Sequence, residues 1–144
     1  MSAIMSKEQL QEFLQSEFPQ VADEFVIEEV RDMALRVRML ISDHHLRPGG
    51  TISGPTMFSL ADCGIYLNIL AMIGPEALTV TTNISMDFMR KPAADKDLIG
   101  DCRLLKLGRV LAVGDVLIYS QGDPKPVARA SMTYSIPPKR IDTI

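Results

Sequence analysis

Asp62 is the residue of this chain whose setting asks most for a chemical explanation. Its helical neighbours Phe58, Leu60, Ala61, Cys63, Ile65 and Tyr66 are nearly all apolar. A carboxylate taken from water without a partner costs several kcal/mol, so this position needs a donor, a water or a function. As a general base it would position or deprotonate a water; as a structural acid it would cap a loop or pair with an arginine. Just upstream, Gly49-Gly50-Thr51-Ile52-Ser53-Gly54-Pro55 runs straight into the same helix. That junction sets small residues and free backbone N–H groups at the helix's positive end. There the Gly54 amide would polarise a carbonyl oxygen as an oxyanion site does, with Asp62 two turns further on. Ordinary loop-to-helix junctions share this composition, so both readings stay open.

Three other groups are candidates. Asp43-His44-His45 contains two possible ligands, but adjacent histidines on an extended segment point to opposite sides and no further ligands cluster nearby, so no metal is expected. Cys63 paired with one of those histidines would make a nucleophile, although a small thiol in an apolar helix more commonly packs the core. Met57, Met72, Met86 and Met89 would suit an adaptable acyl pocket, with core filling as the alternative.

These residues must be carried by a definite set of elements. Ser6 with Gln9 forms a capping box, and Leu10, Phe13, Leu14 and Phe18 share one stripe before Pro19, giving an amphipathic helix over about 6–18. Alternation over 25–30 and 33–41 predicts a first hairpin. Arg47-Pro48-Gly49-Gly50 predicts a shaped loop, and Ser53 then caps a central helix over about 54–73 that Gly74-Pro75 ends. Apolar residues occupy every face of that helix, which requires the rest of the protein to enclose it. The stretches 78–88, 98–107, 110–119 and 127–136 are rich in β-branched and aromatic residues, separated by turns at Pro92, Gly108 and Gly122-Asp123-Pro124. The layout is α+β: one antiparallel sheet around one helix, a single domain over 1–144, with a loose tail at 137–144.

Composition narrows the function. The 144 residues are 47% hydrophobic and 23% charged, a folded-domain profile rather than a disordered one. The net charge of −3 speaks against general affinity for nucleic acid or anionic lipid. The apolar stretch 57–73 is interrupted by Asp62, Gly64 and Asn68 and reads as a core helix rather than a membrane span. Two cysteines, no disulfide framework and no leader pattern at the start fit a cytoplasmic protein. An anionic ligand would need a local basic patch, and Arg90, Lys91, Lys96, Arg103, Lys106 and Arg109 all fall in the second half, whereas the first thirty residues are acidic.

The segment RPGGTISGPTMFSLAD resembles the loop and helix of the hotdog-fold thioesterases, in particular their PaaI-like (phenylacetate-degradation type) branch. In that pattern an Asn is followed by His-Gly-Gly and then Leu-x-Asp, the acid nine residues after the histidine, and Ser53 and Asp62 keep this spacing. The segments TTNISMDFMRKP, LLKLGRVLAVGDVLIYS and VARASMTYSI are similar to the family's four strands. The resemblance implies an acyl-CoA thioesterase acting on a small or medium acyl or aryl thioester, with coenzyme A only as part of the substrate and no separate cofactor. It makes Asp62 the nucleophile or general base and Gly54 the residue whose amide polarises the carbonyl. Arg47 stands at the family's asparagine, Ser53 at its histidine, and Pro55 at its second glycine, removing one N–H. Thr82, or its neighbour Thr81, falls near a hydroxyl that some relatives supply from a second subunit, and Arg90, Lys91 and Arg109 fall at turns where the family contacts the nucleotide. The resemblance further implies a homodimer or homotetramer with the site between subunits. The departures at Arg47, Ser53 and Pro55 motivate a second reading, a non-catalytic acyl-CoA or small-molecule binder. A hydratase of the same fold would need a His with an Asp or Glu on the helix, which this sequence lacks.

Overall fold

The computed structural model describes residues 2–138. The residues 139–144 of the expected tail lie outside the described residues. Helix α1 spans Lys7–Glu17 and begins at the expected capping box: the Ser6 hydroxyl accepts from the Gln9 amide, and the Gln9 side chain accepts from the Ser6 amide. Its apolar stripe is buried through Leu10 and Leu14. After a 3-10 turn at Ala22–Glu24 come β1 (Phe25–Arg31) and β2 (Ala34–Met39). The expected loop contains a second 3-10 turn at Asp43–His45 and a small hairpin, β3 (Leu46–Arg47) with β4 (Thr51–Ile52), that the sequence did not announce. Helix α2 covers Gly54–Ile73, and β5 (Val80–Phe88), β6 (Leu98–Leu107), β7 (Leu111–Ser120) and β8 (Ala128–Ser135) follow.

Six strands form one antiparallel sheet in the order β1-β2-β6-β7-β8-β5. The sheet curls round α2, whose 20 residues are long and apolar enough for a membrane span by composition but are mostly enclosed here. Alternate strand residues point at the helix: Leu98, Cys102 and Leu104 from β6, Ala112, Val116 and Ile118 from β7, Ala130, Met132 and Tyr134 from β8. The helix sits close because glycines face it. A Cβ on Gly64 would lie 2.5 Å from the Cys102 sulfur, and one on Gly114 would lie 2.7 Å from Ile65 Cδ1 and 3.0 Å from the Arg103 carbonyl oxygen.

Strand β5 forms one edge of the sheet and pairs only with β8. Val80 and Phe88 near its ends are both 54% exposed, and Leu78 and Met89 beyond them are exposed too. A bare apolar edge strand is a surface that proteins normally cover or pair.

The start of α2 is fixed from outside the helix. The His45 carbonyl accepts from the Ser53 amide at 2.9 Å and from the Thr56 hydroxyl at 3.3 Å. His45 is itself buried, and the two histidines do not point apart as an extended segment would have them. The 3-10 turn brings their rings to a centroid distance of 3.9 Å, and both Nε2 atoms reach Oε1 of Glu24, that of His44 at 3.2 Å. The Ser42 amide donates to His45 Nδ1 at 2.9 Å, so the proton of a neutral His45 sits on Nε2 and is donated to Glu24. Burial alone would raise the pKa of Glu24, but the bonds from His45 and His44 outweigh it and hold the carboxyl below its ordinary value.

Two stability predictions follow from these contacts. Gly114→Ala forces Ile65 and the β6 backbone apart and lowers unfolding free energy by about 1–3 kcal/mol, measured by denaturant titration. Because the Glu24 carboxyl is held below its ordinary value of 4.5, its stabilisation is complete above that value and is lost as pH falls through the folded-state value. Glu24→Gln is therefore less stable than wild type at neutral pH, and thermal melts of the two converge as pH drops below about 4.5.

Candidate active site

Asp62 is half-buried on α2, and its donors come from the β5–β8 ladder. Thr81 and Tyr134 face each other across that ladder, both pointing inward. Thr81 Oγ1 donates to Asp62 Oδ1 at 2.6 Å, and the Tyr134 hydroxyl reaches the same Oδ1 and also the Asp62 carbonyl oxygen at 2.6 Å. No donor among the described residues reaches Oδ2. Beside the carboxylate lies a cleft of about 480 Å³ whose apolar walls include Leu14, Phe18, Phe25 and Tyr66. Phe18 meets Tyr66 edge-on at 5.8 Å, and the Tyr66 hydroxyl donates to the Ala77 carbonyl at 3.0 Å. Burial, with the charge of Glu17 second, pushes the Tyr66 phenol up to about 12. The cleft is thus an apolar, partly aromatic slot with one carboxylate oxygen free at its side.

The register settles the choice between the two threonines. A bulge between Thr81 and Asn83 puts Thr82 out of the ladder, exposed, with its hydroxyl donating to the Thr133 carbonyl at 3.3 Å. Within this chain Thr81, not Thr82, joins Asp62. Tyr134 was not singled out by the sequence, where it is one aromatic in a strand of alternating residues; only the pairing of Thr81 with it brings it to the acid.

At the other end of the site, Ser53 caps α2 by accepting from the Thr56 amide at 3.2 Å, Pro55 contributes no N–H, and the Gly54 N–H meets no backbone acceptor. The Phe88 ring lies against Gly54, 3.3 Å from where a Cβ would sit. Arg47 is exposed in the β3–β4 turn, where the Gly50 amide donates to the Arg47 carbonyl at 3.0 Å and Gly49 takes the positive φ of 99° that a Pro-Gly turn requires. At 1.5 Å per residue, Gly54 and Asp62 are about 12 Å apart along α2, too far to act on one carbonyl from the same chain.

The cationic candidates are exposed but not together. Arg90 and Lys91 follow the Phe88 end of β5, where the Arg90 Nε donates to the Pro126 carbonyl at 3.2 Å. Arg109 lies in the β6–β7 turn, near the Val80 end of β5, since Leu111 and Val80 both pair with Ser135. The length of β5 keeps Arg109 roughly 25 Å from Arg90 in one chain.

The remaining candidates are placed elsewhere. Burial, then the neighbouring Asp62 charge, pushes the Cys63 thiol far above its usual range, so it stays protonated and is no thiolate nucleophile. The acyl pocket is not methionine-lined. Met57 and Met72 lie buried on the opposite side of α2, Met72 Sδ accepting from the Met33 amide at 3.3 Å; Met86 packs against the core and Met89 is exposed. Glu24, His44 and His45 bring three ligand atoms within 4.8 Å of one another. A metal on His45 Nε2 would need the proton moved to Nδ1, facing the Ser42 N–H, so the hydrogen bonding of this cluster opposes metal binding there.

Comparison with known proteins agrees with this geometry. The family model described as the thioesterase superfamily matches residues 49–127. A candidate thioesterase from Silicibacter sp. TM1040 is 53% identical over 96% of each chain, with a TM-score of 0.90. A hypothetical thioesterase from Streptococcus pneumoniae TIGR4, solved with coenzyme A, shares the fold at 23% identity, with 94% of this chain and 100% of that one covered and a TM-score of 0.73. So does the Escherichia coli PaaI protein of the phenylacetic acid degradation operon, at 19% identity, 91% and 93% coverage and a TM-score of 0.77. No curated protein matches the sequence. The fold is the hotdog fold, a sheet wrapped round one long helix, and with more than half its length matched by the family model the chain belongs to the thioesterase superfamily.

Proposed function

We propose that the protein is an acyl-CoA thioesterase in which Asp62 activates a water or attacks the thioester carbon directly. The observation that carries this reading is the carboxylate itself: anchored through Oδ1, unengaged at Oδ2, and set beside an apolar cleft of about 480 Å³. The slot takes the acyl or aryl group, the Gly54 N–H polarises the carbonyl, and coenzyme A leaves as the thiol.

In this reading the working unit is a homodimer. Gly54 lies at the Phe88 end of β5 and Asp62 at the Thr81 end. Antiparallel pairing of the exposed β5 edge with its copy sets the Asp62 end of one subunit against the Gly54 end of the other, and the same operation gathers Arg109 of one copy with Arg90 and Lys91 of the other as a rim for the nucleotide phosphates. Two free thiols, Cys63 and Cys102, suit a reducing compartment such as the cytoplasm.

Free-thiol release from acetyl-, medium-chain, long-chain, phenylacetyl- and hydroxybenzoyl-CoA tests the activity. Wild type hydrolyses a small or medium member of this panel, and Asp62→Asn, which keeps the shape and removes the base, loses at least about 100-fold in kcat. Binding of these thioesters without release would instead support the acyl-CoA binder, with Pro55 having removed a needed N–H. The shared site has its own test. Asp62→Asn protein and Gly54→Pro protein, each inactive, regain activity when unfolded and refolded together, because half of the sites in a mixed dimer combine both intact groups; no recovery would contradict a site between subunits.

A further inference from the structure

We infer that Tyr134 is a positioning residue for the reaction: with Thr81 it commits Asp62 Oδ1 to the protein and so selects Oδ2 as the oxygen that meets water or thioester. The inference rests on the thioesterase reading for its kinetic part, but the geometry behind it stands alone. Two hydroxyls from facing positions of one ladder converge on a single oxygen, and the other oxygen is left without a protein donor. The Tyr134 hydroxyl also lies 2.6 Å from the Asp62 carbonyl oxygen, so its one proton is shared between the side chain and main chain of the same residue. Together with the Thr81 bond, that shared contact restrains the carboxylate relative to α2.

Tyr134 suits this role better than that of a proton donor to the substrate. Its side chain is 1% exposed and its hydroxyl is already committed to Asp62, although the residue forms part of the cleft wall. Burial, followed by the Asp62 charge, pushes its pKa far above the ordinary phenol range, so it keeps its proton and remains a hydrogen-bond donor. Thr81 is the less buried of the pair and makes one contact with the acid, where Tyr134 makes two.

The experiment compares wild type, Tyr134→Phe, Thr81→Val and Asp62→Asn as purified full-length proteins. With the best thioester substrate, Tyr134→Phe lowers kcat by roughly 10-fold or more with KM within about 2-fold. Thr81→Val shows the same pattern more weakly. Proton NMR supplies a readout that does not need activity: a slowly exchanging, downfield hydroxyl resonance is present in wild type, absent in Tyr134→Phe and shifted upfield in Asp62→Asn. If Tyr134→Phe fails to fold, replacement of tyrosine by 3-fluorotyrosine keeps the shape, strengthens the donor, and moves the hydroxyl resonance further downfield. An unchanged kcat in Tyr134→Phe, or a hydroxyl resonance indifferent to Asp62→Asn, overturns the inference. Absence of hydrolysis by wild type overturns the thioesterase reading instead, and the hydroxyl resonance then still decides whether Tyr134 holds Asp62.

Discussion

Helix α2 has no face on which it can rest against water, and the rest of the molecule is arranged around that constraint. A helix apolar on every side must be enclosed, and a six-stranded sheet curled round it with α1 laid alongside supplies the enclosure. Close approach is needed as well as coverage, which is why Gly64 on the helix and Gly114 on the sheet present no side chain where they face their neighbours. Asp62 is half-buried on that helix, with the cleft on one side and the sheet on the other. β5 and β8 deliver donors to its Oδ1 from the inner face of the sheet.

The same logic separates the ends of the site. A helix N-terminus offers amides only within its first turn, whereas the carboxylate must sit deeper, where strand hydroxyls can reach it. One chain thus holds the helix N-terminus and the anchored carboxylate well apart. The Glu24–His45 pair, through the His45 carbonyl, fixes the first end from behind, and Thr81 with Tyr134 fixes the second. Neither anchor lies on α2, so the helix is held at its start and near its middle by groups from other elements.

What was legible in the sequence was what is decided locally. Ser6 with Gln9, Ser53, Pro55 and Gly74 mark helix boundaries by bonds that span three or four residues, and α2 ends where those residues place it. Asp62 was conspicuous because an acid among apolar neighbours breaks a simple pattern. The features that escaped are set by pairing between distant segments. The bulge at Thr81/Asn83 decides which threonine faces inward, and no residue near it advertises that choice. Tyr134 becomes important only because it lies opposite Thr81, and His45 only because a 3-10 turn rotates it towards Glu24. For Met57, Met72 and Met86 core filling, the plainer of the two sequence readings, is what the structure has.

The strand order has a bearing on how the chain reaches this structure. β2 is hydrogen-bonded to β6, with the whole of α2 and β5 lying between them in sequence, and β5 is bonded to β8 rather than to its neighbours in the chain. Closing such loops costs chain entropy before any pairing rewards it, a pattern associated with slow folding among single domains. The local hairpins β1–β2 and β6–β7 can form early, but β5 has no partner until β8, the last strand, is complete. During synthesis the strand that ends as the sheet's open edge therefore stays unpaired until β8 has emerged, so that edge takes shape only when the sheet behind it is complete.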